Sequence, residues 1–334
     1  NHELFRRAPD ERFTSLDELW EHCRDEQQFS TERWQLPQHL NPRADGDTVI
    51  LTTADDAPCR LNDWSFTQLC RMSSVSKDTI CQLSADTAAL ALQETLPRAD
   101  KPVQLLTAGQ TVRSLHGVAY TRLWNADLLR VVRNYATDFQ PPQVGFNGAT
   151  GLYCGEQDLF AFLIDPAGWT EIDGEAFAPG FFVWNSEVGR RTLGIQTFWF
   201  QAVCQNHIVW DATEVVEFTR KHTASVQDGL AEIGRRIEAL VAKRDARRDG
   251  FVRVIRNAMS VKLGDDADEA AKSLLEHGIP RGLIKEALEI AQARGRFTVF
   301  AIVDALTKLT QKVQFAGDRV ELDQKVATLL ALAV

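Results

Sequence analysis

The stretch Leu152-Tyr-Cys-Gly-Glu-Gln-Asp-Leu-Phe-Ala-Phe-Leu-Ile164 decides the fold class of this chain. Two apolar runs flank the polar turn Gly155-Glu-Gln-Asp158, and this arrangement is typical of a β-hairpin. A second hairpin is predicted from Phe181–Trp184 and Thr192–Trp199, with its turn near Gly189. We therefore expect a β-rich centre.

Helical patterns lie on both sides of these hairpins. Before them, Ser15 and Glu18 have the spacing of a capping box at a helix start. Apolar periodicity predicts further elements: strands at 48–53, 103–106 and 111–120, two helices within 63–92, and a helix at 125–135 capped by Asn125. From Thr213 onward almost every segment reads as helix, and Pro280 is expected at or just before a helix start.

Strands and helices are segregated along the chain rather than alternating, which favours an α+β fold over a doubly wound sheet. The predicted organisation has three parts. They are an extension with a helix and a strand at 1–60, a mixed α+β core at 61–212, and a helical region at 213–334.

Composition narrows the class of protein. The net charge of −9 argues against a protein that coats nucleic acid by bulk charge. No run approaches the ~20 apolar residues of a membrane span, and the polar residues 1–13 do not resemble a signal peptide. The six cysteines are scattered without a C-x-x-C pair, so reduced thiols in the cytoplasm are expected and a structural zinc site is not.

One segment is basic although the net charge of the whole chain is negative. Between Arg235 and Lys262, nine basic side chains outnumber three acidic ones. The basic residues are Arg235, Arg236, Lys243, Arg244, Arg247, Arg248, Arg253, Arg256 and Lys262. Several share a helix face at spacings of three, four or seven, and such a stripe can follow phosphates. A solvated helix, or pairing with the chain's own acidic groups, explains the same pattern equally well.

Two further sets of residues are candidates for a site. The aromatic residues Phe181, Phe182, Trp184, Phe198, Trp199 and Phe200 lie on neighbouring strands. An exposed face would let Trp184 and Trp199 stack on unpaired bases, although core packing explains the pattern as well. The other set is Glu156, Asp158, Glu187 and His207, whose ligand types suit Mg²⁺ or Mn²⁺. The alternative is an ordinary polar hairpin turn at 155–158.

Three central segments, Phe146–Asp165, Gly180–Gly189 and Phe198–Trp210, resemble the family catalogued as domain of unknown function 932. Val112–Ser114 and Asn125–Leu129 extend this resemblance. Members of that family are associated with phages, plasmids and integrated elements, so the resemblance implies a mobile-element setting and no particular chemistry.

The leading hypothesis is a protein of a mobile element that binds nucleic acid, with single-stranded DNA favoured, in recombination or replication. The first alternative is a divalent-metal-dependent enzyme that acts on nucleic acid or nucleotide. The second alternative is an inhibitor that binds a host-defence protein through its acidic surface. A homo-oligomer is compatible with each of them. Dinucleotide-binding and P-loop signatures are absent from the sequence.

Overall fold

A computed structural model of the chain describes residues 3–54, 57–143, 151–202, 205–209, 217–295 and 297–334. Of the described residues, 46% are helical and 24% lie in strands, which gather in two sheets. Helices lie among the strands of the amino-terminal half, and a run of helices follows at the carboxyl-terminal end. The α+β prediction, with a β-rich centre, is therefore confirmed.

The bounds of the elements are as follows. The strands are β1 Glu11–Phe13, β2 Ser30–Gln35, β3 Asn41–Asp45, β4 Thr48–Thr52, β5 Pro58–Leu61, β6 Val103–Ala108, β7 Thr111–His116, β8 Leu152–Cys154, β9 Leu159–Ile164, β10 Thr170–Ile172, β11 Glu175–Asn185, β12 Leu193–Gln201, β13 Asn206–Ile208 and β14 Phe218–Arg220. The helices are α1 Leu16–Phe29, α2 Asp63–Met72, α3 Lys77–Cys81, α4 Ala85–Thr95, α5 Asn125–Tyr135, α6 Asp228–Ala242, α7 Arg244–Ser260, α8 Ala267–Glu276, α9 Arg281–Ala293, α10 Val299–Thr310 and α11 Ala316–Ala327.

The amino-terminal sheet has six strands in the order β2-β6-β7-β5-β4-β3. Its apolar face packs against α2 and α4 through residues such as Leu51, Phe66, Leu92 and Leu105. Because β5 lies between β4 and β7, strands from both sides of residue 60 belong to one sheet. The predicted boundary between 1–60 and 61–212 is therefore wrong, since it would divide a single hydrogen-bonded sheet.

The central sheet has eight strands, with the path β1-β8-β9-β11-β12-β13 and with β10 and β14 attached at β11 and β12. Both predicted hairpins are present, as β8–β9 and β11–β12. Alternate side chains point to opposite faces of a strand. Thus Phe181 and Val183 pack towards α1, α5 and α6, whereas Phe182 and Trp184 pack with residues of α11.

The carboxyl-terminal helices cover the central sheet rather than forming a separate body. Trp199 of β12 and Phe251 of α7 stack with ring centroids 4.0 Å apart, in a core that extends to α10. The 213–334 region thus shares a hydrophobic core with the preceding strands. It also contains β14, which the sequence pattern had not indicated. No helix among the described residues has the length and hydrophobicity needed to cross a bilayer.

Local signals in the sequence were accurate to within a few residues. Ser15 accepts a hydrogen bond from the Glu18 backbone N–H, although the Glu18 carboxylate returns to Thr14 instead of Ser15. Pro280 precedes α9 as its N-cap, which confirms that prediction. Two details are corrected. Residues 63–95 form three helices, and Asn125 is the first helical residue while Trp124 occupies the cap.

Candidate functional site

The aromatic residues of the central strands form core and are not available to a ligand. Trp199 is fully buried and Trp184 is only 8% exposed. The reason is that β11 and β12 lie inside the sheet with helices on both faces, so each alternating set of side chains has a partner layer. The hypothesis that Trp184 and Trp199 stack on bases is therefore wrong, and the core-packing alternative accounts for them.

The predicted carboxylate set does not converge on one point. Asp158 pairs with Arg191 at 2.6 Å, while Glu187 pairs with Arg113 at 2.8 Å. His207 lies against phenylalanine rings, 4.6 Å from Phe162 between centroids. Burial lowers the pKa of His207 to about 3, so it is neutral near pH 7. These four residues form no metal-ligand cluster among the residues that the structure describes.

The local geometry of the hairpin explains this correction. The two-residue spacing of Glu156 and Asp158 implies a shared face only if both lie on a strand. They lie instead in the turn between β8 and β9, which is closed by a 2.9 Å hydrogen bond from the Gly155 N–H to the Asp158 carbonyl. The Ser186 hydroxyl, which follows β11, donates to the Gln157 carbonyl at 2.6 Å and so fastens this turn to the end of β11.

Asp158 is the centre of a charged network that sequence reasoning missed. Arg7 lies 3.2 Å from Asp158 and 3.3 Å from Asp10, and it stacks 3.8 Å above the Phe315 ring. Arg191 connects the same carboxylate to Glu321 of α11 at 2.7 Å. The network ties the amino-terminal segment to the last helix. Because its partners are up to 151 residues apart, no local pattern could have revealed it.

Glu156 has the environment of a reactive carboxyl group. Burial, reinforced by the negative charge of Asp63, raises its pKa to about 7. Its Oε1 atom is buried and has no hydrogen-bond partner among the described residues. Its charged neighbours Asp63, Arg7 and Lys77 line a cavity of about 440 Å³. A carboxyl group that titrates near neutrality beside a cavity is suited to transferring protons.

Much of the predicted basic stripe is occupied by the chain's own acidic groups. Arg235 and Arg236 each lie 2.6 Å from Glu232. Arg244 lies 2.5 Å from Asp165, and Arg248 contacts Asp245 and Asp249 at 3.1 Å. Arg247 is only 3% exposed. For these residues the intramolecular alternative fits the geometry better than a phosphate-binding stripe.

Three basic side chains of the segment are exposed to solvent. Lys243, Arg253 and Arg256 are exposed, and none of them forms an ion pair with another residue of the described ranges. They extend over the length of α7, about 20 Å at 1.5 Å per residue. Arg253 and Arg256 are three positions apart and so share a face. Lys262, at the far end, pairs with Asp265 at 3.2 Å.

An exposed aromatic side chain lies at the start of the same helix. Asp165 caps the 3-10 turn Pro166–Gly168, and Trp169 ends that turn with 42% of its surface exposed. The ion pair between Asp165 and Arg244 fastens this turn to the first residue of α7. The pair therefore brings the Trp169 turn to the amino-terminal end of α7, the helix that also carries Arg253 and Arg256. Trp169 gave no periodic signal, because it lies outside the apolar strands.

Comparisons of the chain with protein-family models, with curated proteins and with solved structures found no match.

Proposed function

We propose that this protein binds single-stranded nucleic acid with the face formed by α7 and Trp169. The observation that carries the proposal is an exposed indole at the amino-terminal end of α7, the helix along which Lys243, Arg253 and Arg256 are exposed without an ion pair among the described residues. Binding to an unpaired strand requires aromatic faces for the bases and positive charge for the backbone. Both are present here, on a chain whose net charge of −9 does not favour binding by bulk charge.

The resemblance to the domain of unknown function 932 family supplies the setting in this proposal. The proposed setting is a phage, a plasmid or an integrated element, where unpaired DNA arises during recombination and replication. A cytoplasmic location is part of the same proposal, and it suits the free thiols of Cys23, Cys59, Cys70, Cys81 and Cys154.

Stacking by Trp169 gives the direct test. Binding of a labelled oligo-dT strand is measured by fluorescence anisotropy for the parent protein and for Trp169→Ala. Loss of one base–aromatic contact costs ~1–3 kcal/mol, which corresponds to a weakening of affinity by about 5- to 150-fold. The matched control is Trp34→Ala, since Trp34 is also half-exposed but lies on the edge strand β2 of the other sheet. Equal affinity of the Trp169 variant and its parent would refute the assigned surface.

The second candidate function is an enzyme that acts on nucleic acid or nucleotide, and the environment of Glu156 favours it. In this case Glu156, whose charged neighbours Asp63, Arg7 and Lys77 line the 440 Å³ cavity, serves as a general acid or base. Asp63, which is ion-paired with Lys77 at 2.5 Å, supplies a carboxylate for Mg²⁺ or Mn²⁺. This pair replaces the set of Glu156, Asp158, Glu187 and His207.

Turnover distinguishes the two candidates. Cleavage of labelled single- and double-stranded oligonucleotides is followed with Mg²⁺, with Mn²⁺ and with chelator. The enzyme candidate predicts metal-dependent cleavage that falls by about 10²–10⁴-fold in Glu156→Gln. Glu171→Gln, an exposed carboxylate on β10, is the control. Binding without cleavage supports the first candidate, and tight binding to a host nuclease without affinity for DNA supports an inhibitor instead.

A further inference from the structure

Residues from the first helix and the central sheet meet in a cluster of soft and borderline metal ligands. A nitrogen of His22, a carboxylate oxygen of Glu26 and the sulfur of Cys154 all lie within 4.8 Å of one another. His22 and Glu26 are one helical turn apart on α1, and Cys154 ends β8 beneath that helix. Cys23, the neighbour of His22, is hydrogen-bonded to Cys154 through its side chain.

We propose that His22, Glu26 and Cys154 form a zinc site, with Cys23 beside it. One sulfur, one imidazole and one carboxylate are ligand types that Zn²⁺ takes in proteins, and a water molecule can fill the fourth position. Zinc bonds of ~2.0–2.3 Å in a tetrahedron place the ligand atoms about 3.3–3.8 Å apart. The distance from His22 Nε2 to Glu26 Oε2 is already 3.8 Å, and the three ligand atoms lie within 4.8 Å of one another, so binding requires a modest contraction of the cluster.

The surroundings of the cluster fit a metal centre. Cys23 and Cys154 are buried, whereas the side chains of His22 and Glu26 are 26% and 36% exposed. An ion therefore has a route in from solvent while the Cys154 sulfur stays in the core. The other ring nitrogen, His22 Nδ1, lies 3.9 Å from the Glu11 carboxylate. A carboxylate in this position can orient a metal-bound imidazole.

One neighbouring cation competes for the site. Arg113 lies 3.6 Å from Glu26, but its shorter contact is the 2.8 Å pair with Glu187. Glu187 therefore holds the guanidinium while Glu26 turns to the metal. The ligands of this site also explain why no zinc motif is visible in the sequence. Two of them lie one helical turn apart on α1, and the third is far along the chain, so neither a C-x-x-C pair nor a clustered spacing arises.

Zinc at this site would join α1 to β8. Its predicted role is to hold the amino-terminal helix on the central sheet, because its ligands come from both elements. This role is independent of nucleic-acid binding at α7, and the two can be tested separately.

Cobalt is the probe of choice, because thiolate-bound tetrahedral Co²⁺ absorbs visible and near-ultraviolet light. Protein freed of metal with chelator and reductant is titrated with Co²⁺ and then with Zn²⁺. We expect one Co²⁺ per chain, with thiolate-to-metal charge-transfer bands that Zn²⁺ removes. Absence of those bands at a stoichiometric level in the parent protein would overturn the proposal.

Variants localise the metal. Cys154→Ser is expected to lose the charge-transfer bands, while Cys70→Ser, a buried free thiol of the amino-terminal sheet's core, is expected to keep them. If Cys154→Ser fails to fold, His22→Gln tests the site instead, because His22 lies at the exposed edge of the cluster. It should weaken Co²⁺ binding by more than about 100-fold and abolish the rise in melting temperature that Zn²⁺ gives the parent. Unchanged cobalt spectra in both site variants would place the metal elsewhere and refute the assignment.

Discussion

Arg113 donates a hydrogen bond from Nη2 to Oε2 of Glu187 over 2.8 Å, and this buried pair joins the amino-terminal sheet to the central sheet. Arg113 belongs to β7, and Glu187 follows β11 in the turn towards β12. The second Glu187 oxygen accepts a hydrogen bond from the Asn125 backbone N–H at 2.8 Å. Each carboxylate oxygen therefore has a donor from a different element.

This arrangement predicts a large cost when one partner is removed. Glu187→Ala leaves the Arg113 charge buried and should lower the free energy of unfolding by ~3–5 kcal/mol. Replacing both partners with apolar residues, as in Arg113→Met with Glu187→Leu, should cost clearly less than the single change. Urea unfolding of the parent and the variants measures both values. A loss below ~1 kcal/mol in Glu187→Ala would contradict the assigned burial of the pair.

A matched pair of isoleucines tests the packing of α9. The structure buries Ile284, whereas Ile290 is only partly buried at the edge of the same core. Ile284→Ala should therefore cost ~2–4 kcal/mol in the free energy of unfolding, and Ile290→Ala about half as much or less. Equal losses, or a larger loss at Ile290, would mean that the helix is rotated about its axis.

The pH dependence of stability should reflect Asp323. Burial raises its pKa from 3.8 to about 7, against the opposing effects of Thr310 and Arg319. The folded state thus holds this proton more tightly than the unfolded chain. Its contribution to stability is present at low pH, declines between about pH 4 and pH 7, and is gone above that range.

Asp323→Asn removes this titration and keeps a polar partner for Thr310, whose hydroxyl donates to Asp323 at 2.5 Å. The variant should therefore gain stability relative to the parent as pH rises from about 4 to 7. Denaturant unfolding of both proteins across that range gives the difference. A difference that does not change with pH would show that Asp323 does not carry the raised pKa.

Hairpins, caps and helix starts were accessible to sequence analysis because they depend on neighbouring residues. The two apolar runs that flank Gly155–Asp158 predicted the hairpin β8–β9, and Pro280 predicted the start of α9. Contacts between residues that are distant in sequence could not be predicted in this way. Trp199 becomes core only because α7 covers its face of the sheet, and Arg244 loses its place as a phosphate ligand only because Asp165 meets it across 79 residues.

The candidate binding residues taken from the sequence differ from those taken from the structure for the same physical reason. Charge patterns along a helix identify exposed faces but not their partners, so the segment from Arg235 to Lys262 could not be divided into paired and open cations. Likewise, the exposure of Trp169 could not be predicted, because it depends on the helices that pack around its turn. Lys243, Arg253, Arg256 and Trp169 replace the longer predicted set.

The salt dependence of binding tests the central claim most directly. Affinity for oligo-dT is measured at several salt concentrations for the parent, for the triple variant Lys243→Ala with Arg253→Ala and Arg256→Ala, and for a control with the same charge change, Arg60→Ala with Arg98→Ala and Lys101→Ala. Each lost phosphate contact should flatten the slope of log affinity against log salt by ~0.7, so the α7 triple variant should flatten it by ~2. The control triple, whose exposed residues lie on β5 and beside β6, should leave the slope unchanged, and both triples should unfold like the parent. Equal slopes for the parent and the α7 variant, or no binding by the parent protein, would contradict the account.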